Sequence, residues 1–375
     1  MGTDPRSSAA VVRTRWAGFG QATDHGDPAA AARDAVGQAL QHGDDPALLI
    51  AFATAAQALP ALAAALQDAA PGVPLVGASS TRPLAPPGAD LAVVALGGPG
   101  FAVSTVAIER AAADLRAAGI EAAAALGDVA DRDHHALLLV ADGCVGDQHE
   151  LVRGAYSIAG AGVSLIGATT RVPGVQLHAG DALTGAVVAA AIGSDAPFGV
   201  GVAHGWQAIG QALHVTRTAG ADLLTLDGRP ALDVYLERTS APEGLDQDAA
   251  GFARFADGHP LGVRLRAEEH HVRLVLGADL SRRSLRTSAE LPQGGQAWLM
   301  VRDGQAVTRA ALEATDAAIA RLDGRAPLAL LVFGELQTLA DVDVPLAGLS
   351  GAGEIARARG ANGFHNDTHA VLAIA

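Results

Sequence analysis

Three short, continuously apolar runs recur along this chain: Ala47-Leu-Leu-Ile-Ala-Phe52, Ala136-Leu-Leu-Leu-Val-Ala141 and Ala329-Leu-Leu-Val-Phe333. Runs of this length without polar alternation are the pattern of central strands covered on both faces. Downstream of each lies a second strand-like piece ending in glycine and hydroxyls. These read Val73-Pro-Leu-Val-Gly-Ala-Ser-Ser80, Val163-Ser-Leu-Ile-Gly-Ala-Thr-Thr170 and Val344-Pro-Leu-Ala-Gly-Leu-Ser-Gly351. The step from Ala47 to Ala136 matches that from Gly77 to Gly167 within one position, while the third copy is compressed. Such a period is too long for a solenoid. It predicts a duplicated strand–helix–strand unit with a third relative in the C-terminal half. The expected fold is mixed α/β (α+β), with mixed sheets and two tightly associated domains.

Helix patterns occupy Pro28–Gln41, Ala55–Ala69 and Gln148–Ala159. Further strands are expected at Val11–Gly18, Leu91–Leu96, Phe101–Ile108 and Ala182–Ile192, the last too short to span a bilayer. Gly193–Gly199 is rich in turn formers, so the domain boundary is placed there. Residues 1–10 read as an untethered, disordered leader, residues 11–198 as one domain and 199–375 as the other. In the second half, Val200–His204 reads as a strand and His214–Arg217 as hairpinned with Leu223–Leu226. Leu261–Arg266 pairs with Val272–Leu276 in the same reading, and Ala297–Val301 is a strand. Thr308–Leu322 has helical periodicity, with Leu312, Ile319 and Leu322 on one face.

A net charge of −14 argues against a phosphate-backbone partner. The acidic balance and the absence of a basic, apolar leader at the start predict a cytoplasmic protein. With one cysteine, Cys144, neither an intramolecular disulfide nor a cysteine-based zinc site can form. Neither nucleic acid nor membrane is expected as a partner, and the strand ends point instead to a small polar metabolite.

Strand ends followed by glycine and hydroxyls can present donors to such a ligand. The candidates are Ser79, Ser80, Thr81, Arg82, Thr169, Thr170, Arg171, Ser350 and Glu354. Arg82 or Arg171 could grip a carboxylate through two hydrogen bonds, and Glu354 could take an ammonium. Together they suit an amino-acid-like zwitterion. The competing reading is that they are turn formers and caps. Asp142-Gly-Cys144 with His149 could form a nucleophile and base, and Glu354 could also serve an enzyme. The histidine pair His365 and His369 lacks the glutamate of a metalloprotease helix, so no metal site is expected.

Several motifs, in order, resemble one family. His204-Gly-Trp206, Val215-Thr216, Leu226-Asp-Gly228 and Pro230-Ala-Leu-Asp-Val-Tyr235 resemble the opening of the FIST C-terminal domain. Pro260-Leu-Gly262, Leu291-Pro-Gln-Gly294, Gly351-Ala-Gly-Glu-Ile355 and His365-Asn-Asp-Thr368 match later landmarks. The N-terminal half, with its Val-Gly-Ala-Ser strand, is similar to the FIST N domain. The resemblance covers residues 11–375, and it adds Trp206, Gly353 and Asn366 to the ligand-binding candidates. It implies a non-catalytic sensory module for signal transduction that binds amino acids or related metabolites. With no output domain fused, the signal would pass to a separate protein such as a histidine kinase. Some members resemble haem-binding nitric-oxide sensors. No cofactor is expected here, but if haem binds, His178, His204 or His214 is the candidate axial ligand.

Overall fold

The computed structural model describes residues 14–23, 26–54, 58–81, 84, 88–109, 111–143, 146–171, 174–264, 270–302, 304–334, 344–357 and 363–375. Arg82, Cys144, residues 11–13 of the expected first strand and residues 55–57 of an expected helix lie outside that set.

The recurring runs build three copies of one topology. The first contains β1 (Trp16–Ala22), α1 (Pro28–Ala39), β2 (Pro46–Thr54), α2 (Leu59–Ala69), β3 (Leu75–Ser80) and β4 (Leu91–Gly97). The second contains β5 (Phe101–Ile108), α3 (Leu115–Ala124), β6 (His134–Asp142), α4 (Gln148–Ala159) and β7 (Ser164–Thr170). A hairpin follows, β8 (Gln176–His178) with β9 (Asp181–Leu183), and then the unit's last strand, β10 (Val187–Ser194).

The third unit opens with β11 (Phe198–Ala203) and is then interrupted by an insertion. That insertion comprises β12 (Gln207–Ala219), β13 (Asp222–Leu226), β14 (Arg229–Pro230), α5 (Ala231–Arg238) and α6 (Ala249–Ala256). It continues through β15 (Leu261–Arg264), β16 (His270–Arg273), β17 (Val275–Asp279), β18 (Ser284–Thr287) and β19 (Gln296–Val301). The unit resumes with α7 (Gly304–Ile319), β20 (Ala329–Phe333) and β21 (Leu346–Leu349). A hairpin of β22 (Gly353–Ala356) and β23 (Phe364–His365) precedes the closing strand β24 (His369–Ile374).

The strand orders β1-β4-β2-β3, β5-β10-β6-β7 and β11-β24-β20-β21 are the same pattern three times. In each, the last strand of the unit pairs antiparallel with the first and second, and the second pairs parallel with the third. The continuous apolar runs are explained by two-sided burial. Leu48, Ile50 and Phe52 face a core shared by all three sheets, together with Leu138, Val140, Leu331 and Phe333. Leu49, Ala51 and Ala53 face α1 and α2 instead.

The glycine of each third strand lies against its partner strand. A Cβ on Gly77, Gly167 or Gly348 would stand 1.8–1.9 Å from the carbonyl oxygen of Ala51, Leu139 or Val332. No side chain fits there, which is why the glycine recurs.

The hairpins tie the units together. β8 pairs with β3 of the first unit, and β22 pairs with β7 of the second. A segment from the C-terminal half therefore completes a sheet of the N-terminal half.

Three sequence expectations need correction. The Ala182–Ile192 run is two strands, parted at a turn where Gly185 takes a positive φ of 65°. β15 pairs with His270–Arg273, and residues from Val275 onward join β18 instead of closing that hairpin. On α7, Leu312 is 47% exposed, and the buried face is Ala310, Ala311, Ala314 and Ala318. The helix lies so close to β11 that only small side chains fit between them. A Cβ on Gly201 would meet the Ala314 carbonyl oxygen at 1.8 Å.

Candidate functional site

The strand-end hydroxyls are buried and bonded to the protein's own main chain. Ser80 donates to the Ser350 carbonyl at 3.2 Å, joining the first and third units. Thr169 donates to the Gly353 carbonyl at 3.3 Å and Thr170 to that of Ala141 at 3.3 Å. The Thr170 hydroxyl also accepts from Gln176 at 2.9 Å, and Ser79 accepts the Val175 N–H at 3.1 Å. Arg171 Nε donates to the Gly351 carbonyl at 2.9 Å. Thr81 is exposed. Ser80, Thr169 and Arg171 thereby fasten one unit to another.

A different cluster forms where the β22–β23 hairpin, the turn before β24, the end of β11 and the insertion meet. Glu354 on β22 stands opposite His365 on β23. Its carboxyl is buried, and burial pushes its pKa up to about 8, aided by the nearby charge of Asp367. The Thr368 N–H donates to it at 3.2 Å. Among the described residues no cation stands within ion-pair distance of it. Gly353 beside it leaves no room for a side chain, since a Cβ would meet the Phe364 ring at 2.4 Å.

The turn after β23 carries the family-like Asn366-Asp-Thr368. Asn366 is buried and its Nδ2 donates to the Val272 carbonyl at 3.5 Å. Asp367 pairs with Arg302 at 3.7 Å, and Arg302 lies over the Trp206 ring, 4.5 Å from its centroid. Trp206 is buried and its Nε1 finds no acceptor among the described residues. His369 Nδ1 is likewise buried without a partner, and burial lowers that histidine to about 4.

On the far side of Val272 lies Arg273, only 3% exposed. Its Nη1 donates to the Val272 carbonyl at 3.0 Å, the same oxygen that Asn366 approaches. Its Nε has no acceptor among the described residues, and burial brings the guanidinium down to about 10. Nearby, His149 of α4 meets the Phe364 ring edge to face at 5.3 Å. Its Nε2 has no partner among the described residues, and burial together with the Arg273 charge lowers the histidine to about 4. His365 donates from Nε2 to the Ala356 carbonyl at 3.0 Å and stacks with His271 at 6.2 Å. Burial lowers it to about 3, so its imidazole is neutral.

Glu354, Trp206 and Asn366, expected from the sequence, stand in this cluster, and Arg273 joins them although the sequence reading did not single it out. His149 entered only as a base for Cys144, which lies outside the described residues. The three candidate haem ligands stand on different elements. His178 on β8 approaches Thr105 at 3.3 Å, His214 is exposed on β12, and His204 follows β11 at the edge of the cluster. Among the described residues, no three of His, Cys, Asp or Glu stand together as metal ligands would.

Family models match the FIST N domain over residues 47–229 and the FIST C domain over 231–357. The chain belongs to the FIST family. FIST domains are sensory modules of signal transduction. An uncharacterized protein of Mycobacterium bovis is 30% identical over 191 residues, covering 44% of this chain and 48% of that protein. An uncharacterized protein of Mycobacterium tuberculosis matches with the same figures. This FIST chain thus spans about half the length of the curated relatives it matches. The FIST C match takes in both Arg273 and Glu354. Among the described residues, no helix is long and apolar enough to cross a membrane.

Proposed function

We propose that this FIST protein is a cytoplasmic sensor that binds a small amino-acid-like metabolite without transforming it, and passes the signal to a separate protein such as a histidine kinase. The observation that carries this reading is Glu354, a buried carboxyl with no cation within ion-pair distance among the described residues, the charge of Arg171 acting on it only from farther off. A carboxyl in such a place holds its proton until a cation arrives. A ligand ammonium would supply that charge and release the proton. Trp206 Nε1 and His369 Nδ1, both without a partner among the described residues, border the same turn through Arg302 and Asp367. Leaving a buried polar group unmet costs about 1–3 kcal/mol, so a polar ligand that meets them gains accordingly.

Calorimetric titration with amino acids and their deaminated analogues tests the reading. One amino acid should bind at one site per chain, more tightly than its deaminated analogue, and Glu354→Gln should erase that preference. Absence of binding across the panel, or turnover of a bound compound, contradicts it.

A further inference from the structure

We infer that Arg273 and His149 hold the carboxylate of the ligand at the seam between the insertion and the second repeat unit. The assignment rests on the sensory reading above and names the chemistry at the other end of the same cluster. Arg273 comes from β16 of the insertion, His149 from α4, and Phe364 of the β22–β23 hairpin braces the histidine ring at 5.3 Å. The charge of Arg273 acts on His149, so the three stretches of chain meet in one region.

Arg273 is buried, yet no carboxylate stands within ion-pair distance among the described residues. The closest counter-charge acting on it is Asp147, which is exposed and caps α4 by accepting the His149 N–H at 2.9 Å. A buried guanidinium without an ion partner is costly, and an anion from outside would relieve the cost. With Nη1 committed to the Val272 carbonyl, the buried edge carrying Nε is the one left without an acceptor among the described residues. That edge of a guanidinium matches the two oxygens of a planar carboxylate. His149 Nε2, also unpartnered, supplies a further polar contact.

The ligand charge at this end should be single. One guanidinium faces neutral imidazoles, and the acidic Asp147 and Glu150 act on the same histidine. A dianion such as phosphate would be under-compensated. The Val272 carbonyl connects the two ends. It receives Arg273 on one side and Asn366 on the other, and Asn366 begins the turn whose Thr368 N–H reaches Glu354. A zwitterion long enough to reach both ends would place its carboxylate at Arg273 and its ammonium toward Glu354.

The test uses the full chain, thermal unfolding and four probes: acetate, glycine, methylamine and inorganic phosphate. Acetate and glycine should raise the unfolding midpoint of the wild type, with phosphate ineffective. Arg273→Met should weaken carboxylate binding by about 10- to 100-fold while leaving the ligand-free protein at least as stable. Arg273→Lys should fold and bind at intermediate strength. Stabilisation by phosphate in place of carboxylates overturns the assignment. So does an undiminished acetate response in Arg273→Met, or loss of folding in Arg273→Met but not in Arg273→Lys. If methylamine binds and acetate does not, the carboxylate site fails while the Glu354 reading stands. If acetate binds but glycine gains nothing over it, the amino-acid reading fails while the carboxylate site stands.

Discussion

Phe52 and Phe333 meet edge to face at the centre of the molecule, with ring centroids 5.8 Å apart and planes at 88°. Both are fully buried, and they hold equivalent places in the first and third units, each one residue past the position that faces the recurring glycine. The second unit has Val140 there. Truncating either ring to alanine should destabilise the fold by about 3–5 kcal/mol. A double-mutant cycle in chemical denaturation should give a coupling of about 0.5–1.5 kcal/mol. Additive effects would mean that the sheets do not communicate through this pair.

The recurring glycine makes a second prediction. Gly77→Ala, Gly167→Ala and Gly348→Ala each place a methyl group on a partner-strand carbonyl. Each should cost about 1–3 kcal/mol or more, measured as a lowered unfolding midpoint. Tolerance at any one position would show that its sheet relaxes more easily than its relatives.

Helix α7 separates packing from hydropathy. Leu312→Gln should shift stability by no more than about 0.5 kcal/mol, because the leucine faces solvent. Ala314→Leu, on the face pressed against β11, should cost about 1–3 kcal/mol. The reverse ranking in thermal unfolding would contradict the described face.

Much of the architecture was legible because two-sided burial writes itself as uninterrupted apolar runs, and the Gly-Ala-Ser, Gly-Ala-Thr and Gly-Leu-Ser endings mark corresponding strands. Leu312 misled because apolar size was read as burial, where close helix–strand approach selects alanine. Glu354 and Asn366 stood out through their motifs. Arg273 did not: in His270-His-Val-Arg273 it looks like the solvent side of an edge strand. It is nonetheless buried, in a region where Asn366 and His149, far away in sequence, stand near it, and no local pattern connects them. The strand-end hydroxyls recur for a reason that the sequence leaves unstated. Ser80 and Thr169 each donate to the main chain of another unit, a pairing across hundreds of residues that no local pattern displays.

The buried titratable groups set a pH profile. His149, His365 and His369 have folded pKa values lowered from 6.5 to about 4, 3 and 4. The unfolded chain therefore binds more protons below pH 6.5, and stability rises with pH up to that value. Glu354 is raised from 4.5 to about 8, so the folded state holds its proton more tightly and stability falls as pH climbs toward 8. The His149 environment includes Arg273, Asp147, Arg153 and Glu150, and ligand-free protein should be used throughout. Denaturation across pH should show a maximum near neutrality, and Glu354→Gln should remove the decline on its alkaline side. An unchanged alkaline limb in that variant would mean that Glu354 is already ionised.

The most direct measurement of the central claim is native mass spectrometry of gently purified protein, set against its denatured mass. The sensory reading predicts one amino-acid-sized adduct per chain, retained by the wild type and lost from Arg273→Met. A bare mass that stays bare when amino acids are added, or a haem-sized adduct, would contradict it.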